Sequence, residues 1–138
     1  MHDETTVNLP EVLAEVMAAF EQYEHALVHN EVDALDALFF HSPHTVRYGA
    51  TENLYGIDAI RAFRSARPAV GLARTLRHTS ITTYGRDMAT ASTEFTREGS
   101  VRIGRQQQTW VRMPGQGWCV VAAHVSLMDA PKEPAHAA

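Results

Sequence analysis

A chain of 138 residues, 45% hydrophobic and 20% charged, is long enough to bury a core of its own without staples. A formal net charge of −4 and a pI near 6.0, with no basic patch interleaved with aromatics, exclude nucleic acid as a partner. The single cysteine, Cys119, excludes an internal disulfide framework, and no apolar run nears the roughly 18 residues of a membrane span.

The acidic, polar start MHDETTVNL does not read as a signal peptide, so the expected location is the cytoplasm. One domain is expected over residues 1–138, with its core at about 10–127 and flexible ends at 1–8 and 131–138.

In chain order, the first predicted element is a helix from about Pro10 to His29. Proline fits its first turn, where a missing N–H leaves no hydrogen bond unmade. Leu13, Val16, Met17, Phe20, Tyr23 and Leu27 follow the spacing of one face, so Tyr23 points toward the core or a pocket. A short second helix runs from about Val32 to Phe39, with Asn30 as its cap and Leu35 and Leu38 on its apolar face.

The stretch Val46–Arg67 then reads as a strand (Thr45–Tyr48), a turn at Gly49, a connection carrying Glu52, and a helix that Pro68 stops. With Val46 and Tyr48 facing out, Arg47 points inward and needs an anion, either Glu52, Glu94 or a substrate carboxylate. Arg61 and Arg67 read as solvated.

Four strand-like runs close the chain, about 74–84, 88–97, 101–113 and 118–127, separated by short Gly-containing turns. Alternation puts Ala89, Ala91, Thr93 and Phe95 on one face, and Gln106, Gln108 and Trp110 on one face of the third run. It groups His124 and Ser126 with Trp118 and Val120 in the last.

The expected fold class is α+β, a cone-shaped, curved antiparallel sheet with N-terminal helices on its concave face. Helix and sheet side chains converge in the mouth of such a cone, which is the expected ligand site, and the uncovered face is a natural homodimer surface. No P-loop, GxSxG or HExxH occurs, and His41 and His44 flank Pro43 without a completing ligand, so neither metal nor cofactor is expected.

This order of elements resembles the nuclear-transport-factor-type cone, also called SnoaL-like, from about Pro10 to Leu127. More narrowly, Arg47 to Arg67, R-Y-G-x-x-E-x-x-Y-G-x-x-x-I-x-x-F-R-x-x-R, is similar to the AtzH-like and HpxZ-like branch, as is Gln108-Thr109-Trp110 with Trp118 to Ser126. The AtzH-like resemblance implies a metal-independent decarboxylating amidohydrolase. It would convert 1,3-dicarboxyurea, a small dianionic urea-like substrate, to allophanate in cyanuric acid and s-triazine nitrogen catabolism.

The resemblance places Tyr23 and Arg47 as the catalytic pair. Tyr55, Arg64, Gln108, His124 and Ser126 are the candidate substrate-binding residues around it. The HpxZ-like side implies instead an accessory of oxalurate catabolism, or a small-anion-binding protein without catalysis that works beside an amidase of the same pathway. An isomerase or dehydratase of the ketosteroid type, with Glu94 or His124 as base in an apolar pocket, is the remaining alternative.

Overall fold

The computed structural model describes residues 6–131. Helix α1 (Pro10–Val28) has Pro10 in its first turn and buries Val12, Val16, Phe20, Tyr23, Ala26 and Leu27. Its buried stripe is rotated slightly from the predicted one, leaving Met17 exposed and bringing Val12 and Ala26 inside.

Asn30 ends α1 rather than capping the next helix. It takes a left-handed φ of 52°, and its N–H bonds the Leu27 carbonyl, as asparagine can just past a helix end. Helix α2 (Val32–Leu38) lays Leu35 and Leu38 against α1.

Strand β1 (Val46–Tyr48) pairs antiparallel with β2 (Asn53–Tyr55), so the predicted connection folds back as a small hairpin. Gly56, at φ 87°, turns the chain into α3 (Ile57–Ala66); few residues other than glycine tolerate that angle. Strands β3 (Thr75–Tyr84), β4 (Met88–Thr96), β5 (Arg102–Met113) and β6 (Gly117–Asp129) form the expected meander.

The sheet order is β2-β1-β6-β5-β4-β3. It is antiparallel except where β1 lies parallel to β6, which makes it mixed rather than purely antiparallel. The core lies between α1, α2 and the inner sheet face, around Tyr23, Phe39, Trp110, Ala91 and Val120.

Two irregularities bend the sheet. In β6, Val120 pairs with Trp110 and Ala122 with Thr109, so Val121 is an extra residue opposite β5. A bulge reverses the alternation beyond it. Val120 and Ala123 therefore both face the core, and His124 and Ser126 turn to the convex side, not to the face of Val120 as strict alternation predicts. The second irregularity lies between Arg77 and Ser80 of β3, where His78 has a φ of 52°.

Of the stretch 1–8 expected to be flexible, Val7 bridges to Tyr84, and the Asn8 N–H bonds the Thr83 carbonyl at 3.0 Å. Residues 1–5 and 132–138, which carry the rest of that expectation, lie outside the described residues. Among the described residues no helix is long and apolar enough to cross a membrane.

Candidate functional site

Arg47 occupies the middle of a three-residue strand, in register with Ala123 of β6, which in turn pairs with Gln108 of β5. Paired residues share a face, so Arg47, Ala123 and Gln108 all point to the concave side, while Tyr48 pairs with His124 on the convex side. The Arg47 Nη1 donates to Glu52 Oε2 at 3.0 Å, and the guanidinium lies 5.6 Å from the centre of the Phe63 ring.

Glu52 is held in turn by the Thr51 hydroxyl, at 2.8 Å. A Cβ on Gly49 would sit 1.5 Å from Glu52 Oε2. The arginine, glycine and glutamate of R-Y-G-x-x-E thus form one unit, in which the glycine leaves room for the carboxylate that orients the arginine. Gly49→Ala is expected to leave the fold intact, because only a mobile carboxylate must move, yet to lower activity by releasing Arg47. A melting curve beside a rate measurement checks this, and full activity would break the link.

Tyr23 is 3% exposed, its ring packed against Phe39 (centroids 6.1 Å apart) and edge-on to Trp110 (6.4 Å). Its hydroxyl has no hydrogen-bond partner among the described residues.

Two glutamines line the same face. Trp110 Nε1 donates to Gln108 Oε1 at 3.0 Å, and Arg74 Nη2 donates to Gln106 Oε1 at 3.0 Å. Indole and guanidinium can only donate, so each amide oxygen is committed and each NH2 must point elsewhere. Both amide nitrogens are buried without a partner among the described residues.

Two arginines share that condition. Arg67, at the end of α3, has Nε and Nη2 buried and unpartnered, and Arg97, just past β4, has its Nε so. Arg67 therefore is not the solvated side chain predicted from sequence. Burial, and then the like charge of Arg64, lower its pKa below the ordinary arginine range; Tyr23 opposes this, and Arg47 and Arg97 add to it. Arg97 is lowered by burial and then by Arg74, with Glu24 opposing.

Arg74 itself is neutralised by Glu24, with its Nε 3.1 Å from Oε2. The Arg74 and Arg97 guanidiniums lie 4.5 and 4.8 Å from the centre of the Phe95 ring, which has room because its cross-strand neighbour is Gly104.

Of the other predicted binding residues, Arg64 lies beside Arg67 at the edge of this cluster, whereas Tyr55, His124 and Ser126 lie away from it. Arg64 is 4% exposed, bonds Asp36 at 2.7 Å and stacks on Phe39, which ties α3 to α2. Tyr55 is 61% exposed beside Tyr48, and His124 and Ser126 line the convex face with His78, Glu94 and Arg105 around a depression of about 400 Å³. That depression is open, with Arg105 donating to Ser126 and Arg77 to Glu94. It makes no demand comparable to five buried, unanswered donor atoms.

Sequence reasoning missed Arg67, Arg97, Gln106, Arg74 and Glu24. Alternation puts Gln106 on one face with Gln108 and Trp110, but nothing in it signals the lack of partners for Arg67 and Arg97.

Among the described residues no group of three or more His, Cys, Asp or Glu is placed to hold a metal ion. Cys119 is buried, which pushes its thiol up to about 11 and keeps it protonated at neutral pH.

Three helices on a bent six-stranded sheet define an α+β protein of the NTF2-like fold. The chain belongs to the AtzH-like family, whose profile matches residues 5–131.

A protein of unknown function from the DUF3225 family of Pectobacterium atrosepticum is 67% identical. The match covers 89% of this chain and 95% of that one, with a TM-score of 0.87. A cystatin-like fold protein of Burkholderia xenovorans is 51% identical over 91% and 98% of the two chains, with a TM-score of 0.88. An NTF2-like superfamily protein of Salmonella enterica, 22% identical over 93% and 97% with a TM-score of 0.67, shares the fold alone. No curated protein matches the chain.

Proposed function

We propose that the protein is a metal-independent decarboxylating amidohydrolase that removes one N-carboxylate from 1,3-dicarboxyurea to give allophanate, in cyanuric acid and s-triazine nitrogen catabolism. The observation that carries this reading is the set of buried N–H donors on the concave face, Arg67 Nε and Nη2, Arg97 Nε, Gln106 Nε2 and Gln108 Nε2, with no acceptor among the described residues. Buried donors left unpaired are costly, and a small planar molecule rich in carboxylate and carbonyl oxygens supplies what they lack. Membership of the AtzH-like family supports the same chemistry.

In this reading the Arg47 edge that Glu52 leaves free receives a carboxylate, and the Tyr23 hydroxyl reaches the scissile nitrogen. The C–N bond breaks with its electron pair remaining on nitrogen. Tyr23 gives that nitrogen its proton, the carboxyl carbon leaves as carbon dioxide, and the phenolate recovers a proton from solvent. The step needs neither a covalent nucleophile nor a Lewis acid.

A panel of dicarboxyurea, carboxybiuret, oxalurate and allophanate, read as carbon dioxide release, tests the reading. Release from dicarboxyurea alone, or far above the others, is expected. Release from none of them, with binding retained, would favour the small-anion-binding alternative.

The same reading takes the protein as a homodimer paired through its convex sheet face, where Tyr48, Tyr55 and Met88 are exposed. Sedimentation at micromolar concentration should give twice the chain mass of 15.3 kDa, and a monomer alone would remove this claim.

A further inference from the structure

The guanidinium groups of the site are not equivalent. Arg47 is ion-paired with Glu52, so its end of the site is close to neutral. Arg74 is likewise neutralised by Glu24. Arg67 and Arg97 have no carboxylate within ion-pair distance among the described residues, and both keep buried N–H groups without an acceptor. Gln106 and Gln108, 3% and 1% exposed, have their amide oxygens fixed on Arg74 and Trp110 and so add two more committed donors.

Resting on the proposed decarboxylation, we infer that Arg67 and Arg97, with the NH2 groups of Gln106 and Gln108, form the subsite that grips the carboxylate retained in the product, while the departing carboxylate lies at the neutralised Arg47–Glu52 end. A departing carboxylate loses its negative charge as carbon dioxide forms. A strong unpaired cation on it would hold the ground state more tightly than the transition state and slow the reaction. A cation whose charge is already balanced by Glu52 orients that group with a smaller penalty. The retained carboxylate keeps its charge throughout, so a strong grip there anchors substrate without opposing the chemistry. The device also selects for anions at both ends and favours release of the product, which has lost one of its two contacts.

Glutarate and butyrate test this, being chains of similar size with two carboxylates and one. Both are titrated against wild type, Arg67→Met, Arg97→Met and Arg47→Met, following melting temperature. In wild type, glutarate should act at a concentration at least about tenfold lower than butyrate, since each charge-assisted bond is worth roughly a factor of ten. Butyrate should still bind Arg47→Met, while its effect should be lost in Arg67→Met and Arg97→Met.

The last two variants, without ligand, should melt at or above the wild-type temperature, because an unanswered buried guanidinium has been removed. Loss of butyrate binding in Arg47→Met with retention in Arg67→Met would reverse the assignment of the two ends. Equal loss in all three variants would show that the ends are not distinct, and a marked fall in melting temperature for Arg67→Met would make that arginine structural; each result overturns the inference and leaves the decarboxylase reading standing. A wild type that binds neither acid would mean that water answers the donors, and the anion-site reading itself would fall.

Discussion

Tyr23→Phe is expected to lower turnover by about a hundred- to ten-thousand-fold, the usual worth of a positioned proton donor, and to leave melting temperature unchanged. The ring of Tyr23 carries the packing, through Phe39 and Trp110, and phenylalanine keeps it. The hydroxyl has no hydrogen bond to lose among the described residues, so its removal strands no partner. KM should move less than kcat, because the interaction strengthens only as the nitrogen gains its proton. A lowered melting temperature with near-normal turnover would make Tyr23 a packing residue, so both quantities are measured on the one variant.

Arg47→Lys is expected to cost about ten- to a hundredfold in kcat/KM, and Arg47→Ala more, with both proteins folded. A lysine keeps the charge and can still meet Glu52, but it has no second edge with which to hold a carboxylate through two parallel bonds. Glu52 stays tied to Thr51 in either variant and is 19% exposed on its side chain, so it is not stranded in an apolar interior. Circular dichroism and a melting curve establish folding, and carbon dioxide release gives the rate. Near-normal turnover in Arg47→Lys would reduce Arg47 to a point charge and end the two-bond role.

Local pattern carried much of this far. The helical spacing of Val16, Phe20, Tyr23 and Leu27 pointed the Tyr23 ring toward the core or a pocket, and two-residue alternation put Gln106, Gln108 and Trp110 together on one face of β5, which the structure turns inward. Both are backbone periodicities, which neighbouring residues set by themselves. The same alternation misassigned His124 and Ser126, because one extra residue at Val121 reverses the phase of β6, and a bulge is visible only against the register of its partner strand.

The residues of the chain alone determined the order of the three helices and of every strand but β2, which reads as a connection, and named Glu52 among the possible partners of Arg47 should it point inward. Only the tertiary structure decided which cations are neutralised. Arg64 meets Asp36 and Arg74 meets Glu24 from 28 and 50 positions away, whereas Arg67 and Arg97 meet no acceptor among the described residues. Whether a charge is answered depends on what lies next to it in space, and sequence spacing holds no record of contacts made across so many residues.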